Sequence, residues 1–233
     1  MKITAATVVA NEEVLIAKHI CDLAALADEV VCVVQPSADA TLMIARAVAE
    51  RMFVPCRVIE QHPDKPGWEY GLETAFKEAK FDWMFMLTAD ESYVGSPLRN
   101  LAKLAKAKKQ KAAAIGRWHA IACGNDTWFK QEGQHEVRLF HKGSVGDFQF
   151  GLHRGLNHAF NGRAIQAPPN WGRIIEAKAA WQHYRTQQFI VSQGHPLNEL
   201  TQCEEKMPTR DLRIGQAMWE KVESVYESAP DQA

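Results

Sequence analysis

Paired cysteines are missing from this chain. Its 233 residues carry five cysteines, Cys21, Cys32, Cys56, Cys123 and Cys203, none of them in a C-x-x-C pair, which speaks against a zinc site and against a secreted disulfide framework. A surplus of either charge is missing too. The formal net charge of −1 gives no bulk signature of a nucleic-acid coat protein, so any polyanion contact must be local. No apolar stretch reaches the roughly 18 residues of a membrane-spanning helix, and no charged-then-apolar leader precedes the first strand-like run. No internal repeat is visible. These absences predict a cytoplasmic protein, at most peripheral to the inner membrane surface.

What is present fits one α/β domain with a small extension, since 46% of the residues are hydrophobic, enough to fill a core. The run from Ile3 to Val9 is apolar and β-branched, and a helical pattern follows through Val14, Ile16, Ile20, Leu23 and Leu26. Glu29 to Val34 reads as a second buried strand. The turn after it offers Ser37 or Asp39 as a cap for a helix from Thr41 to Met52. Cys56 to Ile59 predicts a third strand, Tyr70 to Lys80 a helix, and Trp83 to Leu87 a fourth strand. Strands and helices alternating at this spacing predict parallel βαβ units.

The second half is less regular. A helix is expected from Pro97 to Ala113, strands near Ala114 to Ile121 and Glu136 to His141, and loops from Gly143 to Gly162. Its scattered aromatics, among them Trp118, Trp128, Trp171 and Trp181, read mainly as core. Helical texture returns from Thr186 and ends in a polar tail.

The fourth strand ends abruptly in Asp90 and Glu91. Open α/β sheets bind ligands at the C-terminal ends of their strands, and carboxylates there suit a metal or a polar ligand, with a solvated turn as the alternative. Lys103, Lys106, Lys108, Lys109 and Lys111 fall in the basic segment 99–111, opposite Leu98, Leu101 and Leu104. Such a segment is a solvated face or a contact for a membrane surface, a phosphorylated glycan or nucleic acid.

The order of these pieces resembles the family 2 glycosyltransferases of the GT-A fold, particularly bacterial enzymes that extend lipopolysaccharide cores and other surface glycans. The resemblance covers roughly residues 2–190. It rests on Ala10-Asn11-Glu12-Glu13, on Ala27-Asp28-Glu29-Val30-Val31, on Asp39-Ala40-Thr41 and on Asp82-Trp83 running to Leu87-Thr88-Ala89-Asp90-Glu91. Arg138-Leu139-Phe140, Leu152-His153 and His183-Tyr184 follow in the family's order.

The resemblance implies a Rossmann-like, mostly parallel central sheet flanked by helices, in a domain over 1–185 with a nucleotide-sugar half (1–95) and an acceptor half (96–185). A C-terminal helical extension over 186–233 follows. It implies inverting transfer of a hexosyl or pentosyl group from a nucleotide-sugar donor, with Mg²⁺ or Mn²⁺, to a glycan, a lipid-linked acceptor or modified DNA. Asn11, Glu12, Asp39, Trp68 and Thr88 would contact the nucleotide, and Asp90 and His183 the metal. Two departures stand out. Thr88 replaces the first aspartate of the family's Asp-x-Asp motif, and Arg154 replaces the acid after His153. The general base then falls to Asp147 or His153, with Glu136 a third candidate. The alternative is a catalytically degenerate GT-A domain that binds a nucleotide sugar or glycan.

Overall fold

The computed structural model describes residues 1–144 apart from 14, 66, 124 and 125, and residues 164–176 apart from 169 and 170. The expected boundary at 185/186 and the C-terminal extension lie outside the described residues.

The first half follows the expected alternation. Strands β1 (Ile3–Val9), β2 (Glu29–Val34), β3 (Cys56–Glu60) and β4 (Trp83–Met86) are separated by helices α1 (Ile16–Leu26), α2 (Thr41–Ala49) and α3 (Trp68–Glu78). β1 pairs in parallel with β2 and β4, and β2 with β3. Each of β1, β2 and β4 is buried along its whole length. That is why they read as continuous apolar runs rather than as alternation. On one face Ile3, Ala5, Val30 and Phe85 pack with Leu23 of α1; on the other, Ala6, Val8, Val31, Met84 and Met86 pack with Leu72 and Ala75 of α3. α3 lies so close to β1 that a Cβ on Gly71 would sit 2.4 Å from Val8 Cγ1, so any larger residue there must push the helix away.

The second half adds β5 (Glu91–Gly95), α4 (Leu98–Ala107), β6 (Ala112–Cys123), β7 (Asp126–His141), a 3₁₀ turn (Lys142–Ser144), β8 (Ile165–Gln166) and β9 (Gly172–Glu176). Together they make a nine-stranded sheet in the order β3-β2-β1-β4-β7-β6-β9-β5, with β8 also on β6. β7 joins the parallel half by pairing antiparallel to β4, Met84 opposite Phe140 and Phe85 opposite Leu139.

One expected element needs correction, and one strand is new. The helix expected to reach Ala113 stops at Ala107: Lys109 turns into the left-handed region at φ 56°, and Ala112–Ala114 pair as strand with β7 and β8. Lys108, Lys109 and Lys111 therefore lie beyond the helix. β5, which begins at Glu91, was not anticipated. The strands expected at Ala114–Ile121 and Glu136–His141 are both present, as parts of the two arms of one long antiparallel hairpin. Among the described residues, no helix is long and apolar enough to cross a membrane.

Candidate active site

Because β1, β2 and β4 run parallel, the loops that follow them emerge on one edge of the sheet. Two of these loops are stitched together. Asn11 N donates to Ser37 Oγ (3.1 Å), Ala38 N to Asn11 Oδ1 (2.8 Å), Glu12 N to Thr41 Oγ1 (2.7 Å), Glu13 N to Asp39 Oδ2 (3.1 Å) and Ala40 N to Glu13 Oε2 (3.1 Å), five bonds in all. Asn11 sits at φ 56°, a conformation asparagine tolerates better than most side chains.

Asp39 occupies the centre of this seam. Its Oδ2 accepts from Glu13 N, and its Oδ1 accepts from the Thr41 amide (2.9 Å) and hydroxyl. Partial burial pushes the Asp39 carboxyl up, but these hydrogen bonds outweigh it and hold the group below its ordinary value. The N-cap of α2 is Ala40, without a side-chain cap bond, so the helix cap expected of Asp39 is not formed. Asp39→Ala is expected to destabilise the fold by about 1 kcal/mol or more through the lost seam hydrogen bonds. Urea unfolding at neutral pH measures this directly.

The loop after β4 carries the acidic pair, and the two carboxylates point to different tasks. Glu91 is 2% exposed and turns inward. Its Oε2 accepts from Thr88 N (3.0 Å) and its Oε1 from Arg138 Nη2 (2.6 Å), while its own amide donates to Thr88 O (3.0 Å). Burial pushes the Glu91 carboxyl up, and the Arg138 guanidinium and the Thr88 amide pull it back only in part. Asp90, by contrast, is half-buried at the surface of the same turn. Its Oδ1 accepts from the Thr88 hydroxyl (2.5 Å); its other oxygen has no partner among the described residues.

This donor set suits a hard divalent cation of the Mg²⁺ or Mn²⁺ kind, which keeps several waters and needs only one or two carboxylates beside the phosphates of a substrate. No group of three or more metal-ligating side chains occurs among the described residues.

Behind the turn, Arg138 Nε and Nη2 both reach Glu136 Oε2 (2.9 and 2.5 Å), and Arg117 reaches Glu136 Oε1 (2.5 Å). Burial pushes the Glu136 carboxyl up, but Arg138 and Arg117 outweigh this and hold it below its ordinary value. Glu136 is thus a poor proton acceptor, which argues against the third base candidate. Asp147, His153 and His183 lie outside the described residues.

Trp68 opens α3 directly after Gly67, whose φ is 112°. Its ring is half-buried against the core beneath α3. The Gln61 side chain fixes this approach by donating to the carbonyls of Lys65 and Gly67 (2.9 Å for the latter).

Two buried polar residues had no assigned role at the sequence level. Arg138 stood there only as part of a motif. His19 of α1 lies under the same edge, with Nε2 3.0 Å from Thr7 Oγ1. Neither gives a periodic signal, since each interrupts an apolar face.

With this geometry in hand, comparison with known proteins is decisive. The profile of glycosyl transferase family 2 matches residues 4–163. The chain belongs to this family. No curated protein matches it in sequence.

Solved structures with the same fold include Staphylococcus aureus TarS 1-349, at 14% identity and a TM-score of 0.58 over 87% of this chain and 67% of that one. The same protein has been crystallised with UDP-GlcNAc (15% identity, TM-score 0.57, 76% of this chain and 59% of that one). The mannosyltransferase PcManGT from Pyrobaculum calidifontis, in complex with GDP-Man and Mn²⁺, aligns at 18% identity and a TM-score of 0.55 over 98% of this chain and 76% of that one. This family 2 chain therefore has the GT-A architecture, and it spans only part of the length of these relatives.

Proposed function

We propose that this chain is an inverting, metal-dependent glycosyltransferase that moves a sugar from a nucleotide diphosphate to a hydroxyl acceptor. The observation that carries the reading is Asp90. One of its carboxylate oxygens is aimed by the Thr88 hydroxyl and the other lacks a partner among the described residues, at the sheet edge where the stitched loops of β1 and β2 also end.

A divalent ion, when bound, neutralises the charge that develops on the leaving diphosphate. The residues of the chain prepare the place for it. Asp90 offers a fixed oxygen. The seam through Asn11, Glu12, Glu13 and Asp39 gives the nucleotide a rigid wall, with Trp68 at the start of α3 as a further contact. Rigid positioning is worth having, because a misplaced donor costs rate steeply. The acceptor hydroxyl needs a base within hydrogen-bond reach. Asp147 is the first choice, being ionised at neutral pH without tuning, and His153 the second. His183 is a second metal ligand in this scheme. The acceptor is a glycan, a lipid-linked acceptor or another hydroxyl acceptor such as modified DNA.

Thr88 in place of a second carboxylate favours one competing reading, a domain that binds nucleotide sugars without turning them over. Incubation with UDP- and GDP-sugars, with and without Mn²⁺, separates the two. Release of nucleoside diphosphate supports the enzyme. Thermal stabilisation without release supports the binding module, and a hundredfold excess of ligand over Kd adds about 2.7 kcal/mol, which a melting curve resolves.

Lys103 and Lys106 are exposed on α4, and charge reversal there is expected to raise KM for a large anionic acceptor at low salt while leaving donor hydrolysis unchanged. An unchanged acceptor KM at low ionic strength would assign the helix to plain solvation.

A further inference from the structure

We propose that Arg138 is a positioning residue for the metal-facing carboxylate, acting on Asp90 through Glu91. The inference rests on the reading of Asp90 given above.

The argument follows the hydrogen bonds. Asp90 is oriented by the Thr88 hydroxyl (2.5 Å). Thr88 is held from both sides by one residue, since Glu91 accepts from its amide and donates to its carbonyl. A carboxylate on a free rotor could not hold an amide in this way. Glu91 is fixed because its second oxygen is clasped by Arg138 at 2.6 Å in a site where the Glu91 side chain is 2% exposed and that of Arg138 10%. Arg138 is fixed in turn by two bonds to Glu136, and Glu136 by Arg117. The relay therefore runs from β6 through β7 to the first residue of β5 and ends on the Thr88–Asp90 turn.

Packing alone gives no reason for this construction. Four charged groups taken out of water cost more than well-packed apolar side chains of the same volume would, and a buried ion pair is weak evidence of stabilisation. What the relay supplies is direction. The planar guanidinium of Arg138, pinned through Nε and Nη2 on Glu136 Oε2, presents Nη2 to Glu91 Oε1 from a fixed direction. Asp90 itself takes no ion pair in the relay, whose ion pairs join Glu91, Arg138, Glu136 and Arg117. The pattern is the one by which residues behind a metal ligand set its aim, where mutation costs about 10–100-fold in metal affinity.

The test uses the full chain and reads Mn²⁺ binding in the presence of UDP and of GDP by water-proton relaxation, with nucleotide affinity, kcat and urea stability measured alongside. Glu91→Gln keeps size and shape but leaves an amide NH₂ facing a donor; Arg138→Met removes the fork. Both are expected to weaken Mn²⁺ binding about tenfold and to lower kcat, with metal-free nucleotide affinity unchanged. Arg138→Lys should recover part of the loss by restoring the charge without the fork. If Arg138→Met does not fold, Glu91→Gln carries the test.

A folded Glu91→Gln with wild-type Mn²⁺ affinity and kcat, and only a stability loss, would overturn the inference while leaving the metal reading intact. Wild-type protein that binds no Mn²⁺ with either nucleotide would overturn the metal reading and the inference together.

Discussion

Asp90→Asn is expected to lower kcat for sugar transfer by about 10²–10³-fold, equivalent to about 2.7–4 kcal/mol of lost transition-state stabilisation. The substitution removes a charge and little else. The amide oxygen of asparagine can still accept from the Thr88 hydroxyl, and the residue is half-buried on a turn, so the fold should change by no more than about 0.5 kcal/mol, as for other surface substitutions. A large kinetic loss with an unmoved unfolding midpoint is thus the signature sought. Steady-state assays at saturating donor, run with Mn²⁺ from micromolar to millimolar, provide it. Near-normal turnover in the variant, or wild-type turnover unaffected by a chelator, would remove Asp90 from the metal site. Glu91→Asp makes a useful contrast. It keeps the charge but withdraws the carboxylate from Thr88 and Arg138, so it should damage stability as well as rate.

The parallel half of the sheet was legible because its physics is local. Strands buried on both faces must be apolar at every position, and Ile3–Val9 and Glu29–Val34 are almost entirely so. Both were read in the sequence with the bounds the structure shows. The antiparallel half shows only parts of its strands. β6 and β7 pair with register shifts between Ala113 and Ala114 and between Gly116 and Trp118, which break the alternation that would have announced them in full. The alanines at 112–114 carry high helix propensity and read as a continuation of α4, but sheet pairing to β7 and β8 overrides a preference worth only tenths of a kcal/mol per residue.

β5 was missed for a related reason. It begins with Glu91, a charged residue that looks like the polar end of the preceding run and is in fact buried against Arg138. Of the candidate site, the carboxylate at Asp90 stood out because it ends an apolar strand. The division of labour between Asp90 and Glu91 did not, since it depends on an arginine 47 positions further along the chain. Asn11, Ser37 and Asp39 show the same ambiguity from the other side. Their side chains bind ligands and close turns with the same atoms, and only the coordinates reveal that each bonds the opposite loop.

The buried histidine leads to the second large effect. His19 is 2% exposed, and burial, with a smaller push from the Lys18 charge, brings its pKa down to about 3, against a weaker opposing hydrogen bond to the Leu87 backbone. The folded protein therefore keeps the ring neutral where the unfolded chain, near 6.5, takes up a proton. The unfolded state binds more protons throughout that interval, so stability is fully present above about pH 6.5 and falls as the pH drops toward 3, at a limiting slope of about 1.4 kcal/mol per pH unit. Between pH 6.5 and 5 this amounts to roughly 1–2 kcal/mol from one side chain. Carboxylates such as Asp39 and Glu136, held below their ordinary values, lose their contributions only below about pH 4–5, whereas Glu91, pushed up by burial, acts in the opposite sense, so the difference between wild type and a His19 variant separates the histidine from the other groups. Urea unfolding across that window should show the midpoint declining with acidity in the wild type. His19→Gln, which can still hydrogen-bond Thr7 but does not titrate, should begin from a lower midpoint and show a flat profile. A variant that declines with the wild-type slope would mean that another group carries the acid sensitivity. A flat wild type would mean that His19 is accessible to protons in the folded state.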